Sequence, residues 1–297
     1  MPNDIIQEKA LSEVARVELA AVDVAAENFH ELDAVDGVIV DNLLTADEAA
    51  RLVAAAETSG GFAWWDPDGI EERKSMRNAD TLEFEDDALC ETLYNRLLPC
   101  IRRSVSFSPE EEDLYEPDLD GEWEAVGLNT HLLLNRYPAG GHFAPHADGS
   151  TIIDFNRRSL YTVLIYLNTC EEGGATQLLT SAHGEAWTLD AQRSRVARPE
   201  AVVRAVEPNC GRAVMYYHQV LHAGQKVGPR SHKYCLRSDV MYVRKEPLCT
   251  APKDLLAFQL VMEAKAHEAA GEPMEALPKY MRAAKISEGI AKAYRLR

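Results

Sequence analysis

The middle of this 297-residue chain is a series of short runs rich in β-branched and aromatic residues, each bounded by turn residues. Between Asn129 and Val243 these runs read THLLLNRY, SLYTVLIYLN, ATQLLT, RAVMYY and YCLRSDVMYV. Strands at this spacing are typical of a β-sandwich or a β-barrel. The segment therefore predicts an all-β core.

Helical patterns precede this core. Residues 5–28 carry apolar side chains at three- and four-residue steps, which predicts an amphipathic helix. The sequence Thr45-Ala-Asp-Glu48 is a capping box, so a second helix is predicted to begin there and to run to about Thr58. Gly60-Gly61 would end that helix.

A third helix is predicted from about Asp87 to Ser104, with a kink or an early stop at Pro99. Residues 61–80 are expected to form a loop. The acidic stretch 108–122 shows no periodicity, which indicates a solvated loop or flap.

The end of the chain predicts two helices, residues 253–270 and 273–287, separated at Gly271-Glu-Pro273. Their small residues are spaced as in half of a tetratricopeptide repeat, although Pro278 weakens that match. One such unit cannot bury a solenoid core. The pair is therefore expected to dock on the core or to contact another protein.

Composition excludes several functions. A net charge of −17 argues against nucleic acid as a partner, because phosphate binding needs a basic surface. No apolar run approaches the ~20 residues that span a bilayer, and the first residues lack the apolar stretch of a secretory signal. A cytoplasmic protein with no membrane partner is expected, with an intracellular organelle left open. The six cysteines form no C-x-x-C pair and are interpreted as free thiols.

A metal site is predicted from the segment RYPAGGHFAPHADGS, residues 136–150. His146 and Asp148 lie two positions apart, so on an extended strand both side chains face one way. His222, roughly 75 residues later at the end of another β-rich run, offers a third ligand. Two histidines and a carboxylate form the facial triad that holds non-haem Fe(II) and leaves positions open. His131, His142 and His218 are interpreted as non-ligands.

Two basic residues follow His222 on the last β-rich run. Lys233 lies eleven residues after His222, and Arg237 shares its face by period-2 alternation. A buried cation needs an anionic partner, which a carboxylate-bearing co-substrate would supply. The alternative is that one of the two cations pairs with Asp239, which is on the same face.

These motifs, taken together, resemble the prolyl 4-hydroxylase-like family of 2-oxoglutarate/Fe(II) oxygenases. The resemblance covers about residues 127–243, and the residues that carry it are Tyr137, Gly140-Gly141, His146-x-Asp148, Tyr166-Leu167, Glu171-Glu-Gly-Gly-Ala-Thr176, Gly211-Arg-Ala-Val214, His222 and Lys233. It implies an α+β fold, in which N-terminal helices and a C-terminal helical pair support a double-stranded β-helix (jelly-roll) core. The implied division is a helical extension at 1–35, an oxygenase domain at 36–246 and a helical hairpin at 247–297.

The resemblance also implies a function. Fe(II) would be held by His146, Asp148 and His222, and the 2-oxoglutarate tail by Lys233. Arg237 is the second choice for that role or for binding the substrate, and Tyr137 is a further candidate for binding the co-substrate. The cofactors would be Fe(II), 2-oxoglutarate and O₂, with ascorbate as a candidate reductant. The implied reaction hydroxylates an unactivated C–H bond and releases succinate and CO₂.

The substrate stays open at this stage: a prolyl residue of a peptide or protein, or a small molecule. By family analogy, Arg77, Asn78 and Trp65 are candidate substrate-binding residues. The chain departs from the family at Phe143, where a tyrosine hydroxyl often contacts the co-substrate. Other functions considered are a non-catalytic metal-binding interaction module and a cupin-like zinc or nickel protein.

Overall fold

The computed structural model describes residues 12–64, 74–108, 117–180 and 186–296. Most of this part of the chain is antiparallel β-structure. The strands are β1 (Phe29–Glu31), β2 (Gly37–Val40), β3 (Ala63–Trp64), β4 (Arg77–Asn78), β5 (Asp80–Glu85), β6 (Ser104–Phe107), β7 (Gly121–Leu128), β8 (His131–Tyr137), β9 (His142–His146), β10 (Ile152–Asp154), β11 (Arg157–Tyr166), β12 (Thr176–Leu179), β13 (Trp187–Leu189), β14 (Arg195–Ala197), β15 (Val202–Val206), β16 (Ala213–Tyr217), β17 (His222–Gly224) and β18 (Lys233–Arg244). The helices are α1 (Ala46–Ser59), α2 (Asp87–Leu97), α3 (Pro252–Ala269), α4 (Pro273–Ile286) and α5 (Glu288–Ala293).

Two sheets form the core. Among the described residues the larger sheet has the strand order β1-β2-β16-β11-β18-β8-β5-β3, with β6, β7 and β10 attached beside it, and the smaller sheet has the order β15-β12-β17-β9-β4. From β8 to β18 the chain passes repeatedly between the two sheets. This is the topology of a double-stranded β-helix, so the predicted α+β fold with a jelly-roll core is confirmed.

The space between the sheets is filled by side chains from both. Tyr166 and Tyr216 of the larger sheet pack with Leu178 and Val206 of the smaller sheet, and all four are buried. The opposite face of the larger sheet is covered by α1 and α2, whose leucines join a second apolar cluster with β8 and β11. Residues of both sheets also line a pocket between them.

The two helices that cover the sheet begin close to where the sequence predicts. Thr45 and Glu48 form the capping box of α1, and Gly60 ends it in the left-handed conformation with φ of 65°. The helix predicted from about Asp87 to Ser104 is shorter in the structure. It ends at Leu97 and not at Ser104, so Pro99 marks the early stop.

The prediction of an N-terminal amphipathic helix over residues 5–28 is wrong for its described part. Residues 12–25 form no helix, and only Ala26–Asn28 make a short 3-10 turn. The backbone of Ala20 is satisfied by other partners: its N–H donates to Glu48 at 3.2 Å, and its carbonyl accepts from Arg96 at 2.6 Å. These side-chain contacts replace the intrahelical hydrogen bonds. Residues 5–11 lie outside the described part.

The acidic stretch 108–122 is also more ordered at its end than predicted. Residues Pro117–Leu119 form a 3-10 turn and β7 starts at Gly121, whereas 109–116 lie outside the described residues. The Asp118 carboxylate is buried and pairs with Arg158 at 2.5 Å. It is a core ion pair, so the solvated-flap prediction is wrong at this position.

The C-terminal helical pair forms as predicted, and α5 follows it. Ala257 and Val261 of α3, Ala283 of α4 and Ile290 of α5 are buried together against Phe155, which lies in the turn between β10 and β11. Tyr294 reaches Asp118 with a hydrogen bond of 2.5 Å. The three helices therefore dock on the jelly roll. In the described part of the chain, no helix combines the length and apolar character needed to cross a bilayer.

Candidate metal centre

His146 and His222 are brought together by strand pairing. His146 ends β9, His222 begins β17, and the two residues are direct partners in the antiparallel register. Asp148 follows two residues after His146, and its side chain points the same way. Its carboxylate lies 3.8 Å from His146 Nε2 and 3.5 Å from His222 Nε2. In the described residues these are the three side chains whose ligand atoms lie within 4.8 Å of one another.

Backbone carbonyls fix the orientation of both imidazoles. His146 Nδ1 lies 2.7 Å from the carbonyl of Ala144, and His222 Nδ1 lies 2.9 Å from that of Val220. Because a carbonyl only accepts, each Nδ1 must donate, which leaves the lone pair on Nε2. Burial lowers the pKa of His146 to about 3 and also lowers the pKa of His222. Both rings are therefore neutral near pH 7 and able to bind a metal.

Asp148 is held as an anion by its neighbours. Thr162 donates to its Oδ2 at 2.7 Å, and the Tyr216 hydroxyl lies 3.4 Å from the same oxygen. Arg237 Nη2 lies 3.3 Å from Oδ1. Burial alone would raise the pKa of Asp148, but the charge of Arg237 more than offsets this and lowers the pKa below the usual range.

A chain of buried hydrogen bonds positions the Thr162 hydroxyl that donates to Asp148. Thr162 Oγ1 lies 2.9 Å from His218 Nδ1, and His218 Nε2 lies 2.9 Å from Ser159 Oγ. His218 thus points at two hydroxyls and away from the three clustered ligand atoms. The other two histidines interpreted as non-ligands also have separate partners: His142 contacts the Ser75 carbonyl, and His131 contacts Glu83.

Lys233 lies at the closed end of the pocket that the side chains of His146, Asp148 and His222 also line. Its side chain is buried, and Nζ donates to the Gly174 carbonyl at 2.8 Å. The rings of Tyr137 and Tyr166 lie 5.3 and 5.2 Å from Nζ. Burial lowers the pKa of this amine, and among the described residues no carboxylate lies within salt-bridge distance. The location suits an anionic ligand.

The Gly173-Gly174 turn places the Gly174 carbonyl within hydrogen-bond distance of Lys233 Nζ. Gly173 has φ of 68°, and a Cβ at this position would lie 2.1 Å from the Lys226 carbonyl oxygen. Only glycine fits here, because both the backbone angle and the close approach exclude a side chain. The doubled glycine in the sequence therefore has a local structural cause.

Arg237 occupies the other end of the same strand face. It shares the pocket lining with Lys233 and Cys235, which confirms the period-2 placement on β18. It pairs with Asp148 and with Asp239, whose Oδ1 lies 3.5 Å from Nη2. Pairing with Asp239, the alternative left open by the sequence, does occur, but for Arg237 and not for Lys233.

The three candidate substrate-binding residues differ in their position relative to the pocket. Arg77 lines the pocket, donates to Asn135 at 2.5 Å and lies over the ring of Phe143 at 4.8 Å. Phe143 in turn stacks on His146 with 3.7 Å between ring centroids. Asn78 pairs with His142 across β4 and β9 and is not among the lining residues. Trp65 lies outside the residues that the structure describes.

Several residues at the site were not singled out in the sequence. Leu164 on β11 and Leu133 on β8 line the pocket, and Thr162 lies two residues before Leu164 and therefore on the same face of β11. No sequence signal shows that Tyr216 and Thr162 meet Asp148. That contact depends on the antiparallel pairing of β11 and β16.

Comparison with known families agrees with this geometry. A family model described as the 2OG-Fe(II) oxygenase superfamily matches residues 132–238, the span from β8 into β18. This segment of the jelly roll is therefore similar to that superfamily, and the resemblance found in the sequence is confirmed. A comparison with curated proteins found no match.

Solved structures with related folds include three prolyl hydroxylases. The viral collagen prolyl hydroxylase of Paramecium bursaria Chlorella virus-1 is 17% identical, covers 71% of this chain and 98% of that chain, and has a TM-score of 0.40. A Pseudomonas putida prolyl-4-hydroxylase is 14% identical over 72% and 95%, with a TM-score of 0.41. A Trichoplax adhaerens prolyl hydroxylase, in complex with a hypoxia inducible factor peptide fragment, is 16% identical over 72% and 86%, with a TM-score of 0.44. At these identities and TM-scores, the likeness says nothing about activity or substrate.

Proposed function

We propose that this protein is a 2-oxoglutarate- and Fe(II)-dependent dioxygenase that hydroxylates an unactivated C–H bond. His146, Asp148 and His222 are the proposed metal ligands. The observation that carries the proposal is their chemical state: two neutral imidazoles present Nε2 lone pairs beside an ionised carboxylate, all buried in one pocket.

This donor set fits divalent iron. Imidazole and carboxylate ligands suit Fe(II), and three ligands on one face leave positions for a chelating 2-oxo acid and O₂. The carbonyls of Ala144 and Val220 prevent the rings from rotating, and Thr162 holds the carboxylate. When bound, the metal with 2-oxoglutarate and O₂ supplies the oxidising power for hydroxylation, with succinate and CO₂ as co-products.

The protein's own residues bind and shield the co-substrate. Lys233 Nζ uses one of its N–H groups on Gly174 and is proposed to bind the tail carboxylate of 2-oxoglutarate with the others. Thr176 and Tyr137 line the same pocket and offer hydroxyls. The tyrosine rings around Lys233 exclude water, which strengthens this ion pair.

The finer proposal for the substrate is a prolyl residue in a peptide or protein. Its support is the order of motifs, which resembles the prolyl 4-hydroxylase-like enzymes, together with a pocket that opens between the sheets. Oxidation of a small molecule is the second candidate, favoured by the three cationic side chains that line the pocket, namely Arg77, Lys233 and Arg237. Ascorbate as reductant, the division into domains and a partner for the C-terminal helices stay predictions.

The first experiment is an anaerobic titration of metal-free protein with Fe(II) and then 2-oxoglutarate. We expect the weak visible charge-transfer band of the chelate, and we expect it to disappear in Asp148→Ala. His131→Ala is the matched control, because His131 pairs with Glu83 outside the cluster and its loss should leave the band intact. Folded wild-type protein that gives no band would refute the oxygenase assignment and favour a non-catalytic metal-binding module.

A further inference from the structure

The residues paired with Arg237 on the neighbouring strands β11 and β8 offer no side-chain hydrogen-bond acceptor to its guanidinium group. Its register partners are Leu164 on β11 and Leu133 on β8, and both leucines line the pocket. The guanidinium therefore extends between two apolar side chains towards the metal cluster. Only residues beyond these neighbours can satisfy its five N–H groups.

The contacts of Arg237 leave most of those donors unused. Both carboxylates, Asp148 at 3.3 Å and Asp239 at 3.5 Å, approach the same nitrogen, Nη2. Nε is buried and has no hydrogen-bond partner in the described part of the chain, and Nη1 donates no hydrogen bond to the described residues. A partly buried arginine with one nitrogen engaged and two without hydrogen bonds is suited to a planar, two-oxygen anion.

The position of Arg237 separates its role from that of Lys233. The two residues are four apart on one strand, about 13 Å at the usual rise per residue. Lys233 is 3% exposed at the closed end, whereas the side chain of Arg237 is 24% exposed and touches Asp148. A co-substrate with its tail at Lys233 has its head at the metal. Arg237 then faces the space between the metal and the opening, where the molecule to be oxidised must enter.

We propose that Arg237 binds a carboxylate of the substrate, so that the enzyme acts on molecules whose oxidised carbon lies a few bonds from a carboxylate. This inference rests on the proposed oxygenase function. The ligand chemistry is a planar carboxylate, and two sources can supply it: a free amino acid or the C-terminal residue of a peptide. An internal prolyl residue, whose carbonyl is an amide, does not offer this group.

The test compares each acid with its own amide. Isothermal titration calorimetry on protein loaded with Zn(II) and 2-oxoglutarate gives affinities without turnover, since a site of this type accepts other divalent ions. The probes are the free L-amino acids and their amides, beginning with L-proline and L-prolinamide, and the dipeptide Gly-Pro with its amide. Because both probes of a pair bind the same sample, their affinity ratio is insensitive to partial unfolding.

We expect at least one acid to bind about tenfold to a hundredfold more tightly than its amide, the range of a charge-assisted hydrogen bond. The ratio should fall close to unity in Arg237→Gln. It should survive in Arg136→Gln, the matched control, because Arg136 also pairs with two carboxylates, Asp80 and Glu57, but outside the pocket lining. Arg237→Lys keeps a cation beside Asp148 and serves if the glutamine variant fails to load metal. Preference for free acids alone, or for Gly-Pro as well, identifies the source.

Three results would overturn the proposal. Wild-type protein that prefers no acid over its amide would exclude a carboxylate subsite. An acid preference that persists in Arg237→Gln would assign it to another residue. Weaker 2-oxoglutarate binding in Arg237→Gln with an unchanged ratio would show that Arg237 holds the head of the co-substrate. Failure of the proposed function has a different signature, namely wild-type protein that binds neither the metal nor 2-oxoglutarate.

Discussion

Replacing Lys233 by methionine should separate binding from stability. Methionine has a similar length and no charge, so the packing against Tyr137 and Tyr166 is largely kept. The variant is expected to lose affinity for 2-oxoglutarate while its fold remains intact or becomes more stable. Affinity and stability change in opposite directions because both depend on the burial of the amine. Burial strengthens the ion pair between Lys233 and a bound carboxylate, but it makes the charged amine costly when no ligand is bound.

The magnitudes follow from the surroundings of Nζ. Removing one member of a buried ion pair costs about 3–5 kcal/mol, so the dissociation constant of 2-oxoglutarate should rise roughly 150-fold to 5,000-fold. In the ligand-free protein the Gly174 carbonyl is the hydrogen-bond partner of Nζ in the described residues. Replacing such an ion by an apolar side chain is neutral or stabilising by about 1–4 kcal/mol.

The pH dependence gives an independent check. Burial lowers the pKa of Lys233 from its ordinary value of 10.5, so the unfolded chain binds this proton more tightly than the folded protein. The folding penalty is complete below the folded pKa and disappears as the pH rises to 10.5. Ligand-free wild-type protein should therefore gain stability with rising pH in that window, and Lys233→Met should gain less.

The assay is calorimetric titration with 2-oxoglutarate, accompanied by urea unfolding of the ligand-free protein at several pH values. Titration with 2-oxobutyrate, which lacks the tail carboxylate, is the control and should give similar affinities in wild type and variant. A variant that binds 2-oxoglutarate normally would show that the tail lies elsewhere. A variant that is strongly destabilised would show that the amine has a structural partner, and the reasoning from burial would be wrong.

Three further changes test other parts of the structure. Glu48→Gln should destabilise the protein by about 3–5 kcal/mol in urea unfolding, because it leaves the buried guanidinium of Arg96 without its charge partner. Hydrogen bonding to Arg96 lowers the pKa of Glu48 to about 2, so this contribution is complete above pH 4.5 and lost as the pH falls towards 2; an equal acid transition in wild type and variant would contradict it. Asp118→Asn should cost a similar amount and loosen the C-terminal helices, measured by amide hydrogen exchange, since Arg158 and Tyr294 both contact that carboxylate. Phe143→Tyr restores the hydroxyl typical of the family and should tighten 2-oxoglutarate binding roughly twofold to tenfold by calorimetry, whereas weaker binding would mean that stacking on His146 matters more.

Local patterns predicted the parts of the fold whose causes are local. The capping box at Thr45 and Glu48 located the start of α1, and period-2 runs located β8, β11 and β18. These signals depend on hydrogen bonds or side-chain alternation within a few residues. A single sequence contains all the information they need.

The N-terminal segment shows where local reasoning fails. Its apolar periodicity is real, but the backbone of Ala20 meets the buried Glu48–Arg96 pair, formed by residues 48 positions apart. A tertiary contact that satisfies both the N–H and the carbonyl removes the advantage of an intrahelical bond. The capping glutamate was visible in the sequence, but its second role as a partner of Arg96 was not.

The same distinction applies within the site. Alternation on β18 placed Lys233 and Arg237 on one face, yet could not say which of them reaches the metal end. The sheet pairings decide this, because Lys233 lies opposite Tyr137 at the end of β8, whereas Arg237 lies four residues further along and meets Asp148. Two cations that look interchangeable in the sequence thus occupy chemically different positions, one enclosed by aromatic rings and one beside Asp148, a proposed metal ligand. Residue spacing alone does not reveal a difference that depends on the register of the strands. Because the two side chains occupy different positions in the pocket, we expect variants of Lys233 and of Arg237 to affect the binding of different ligands.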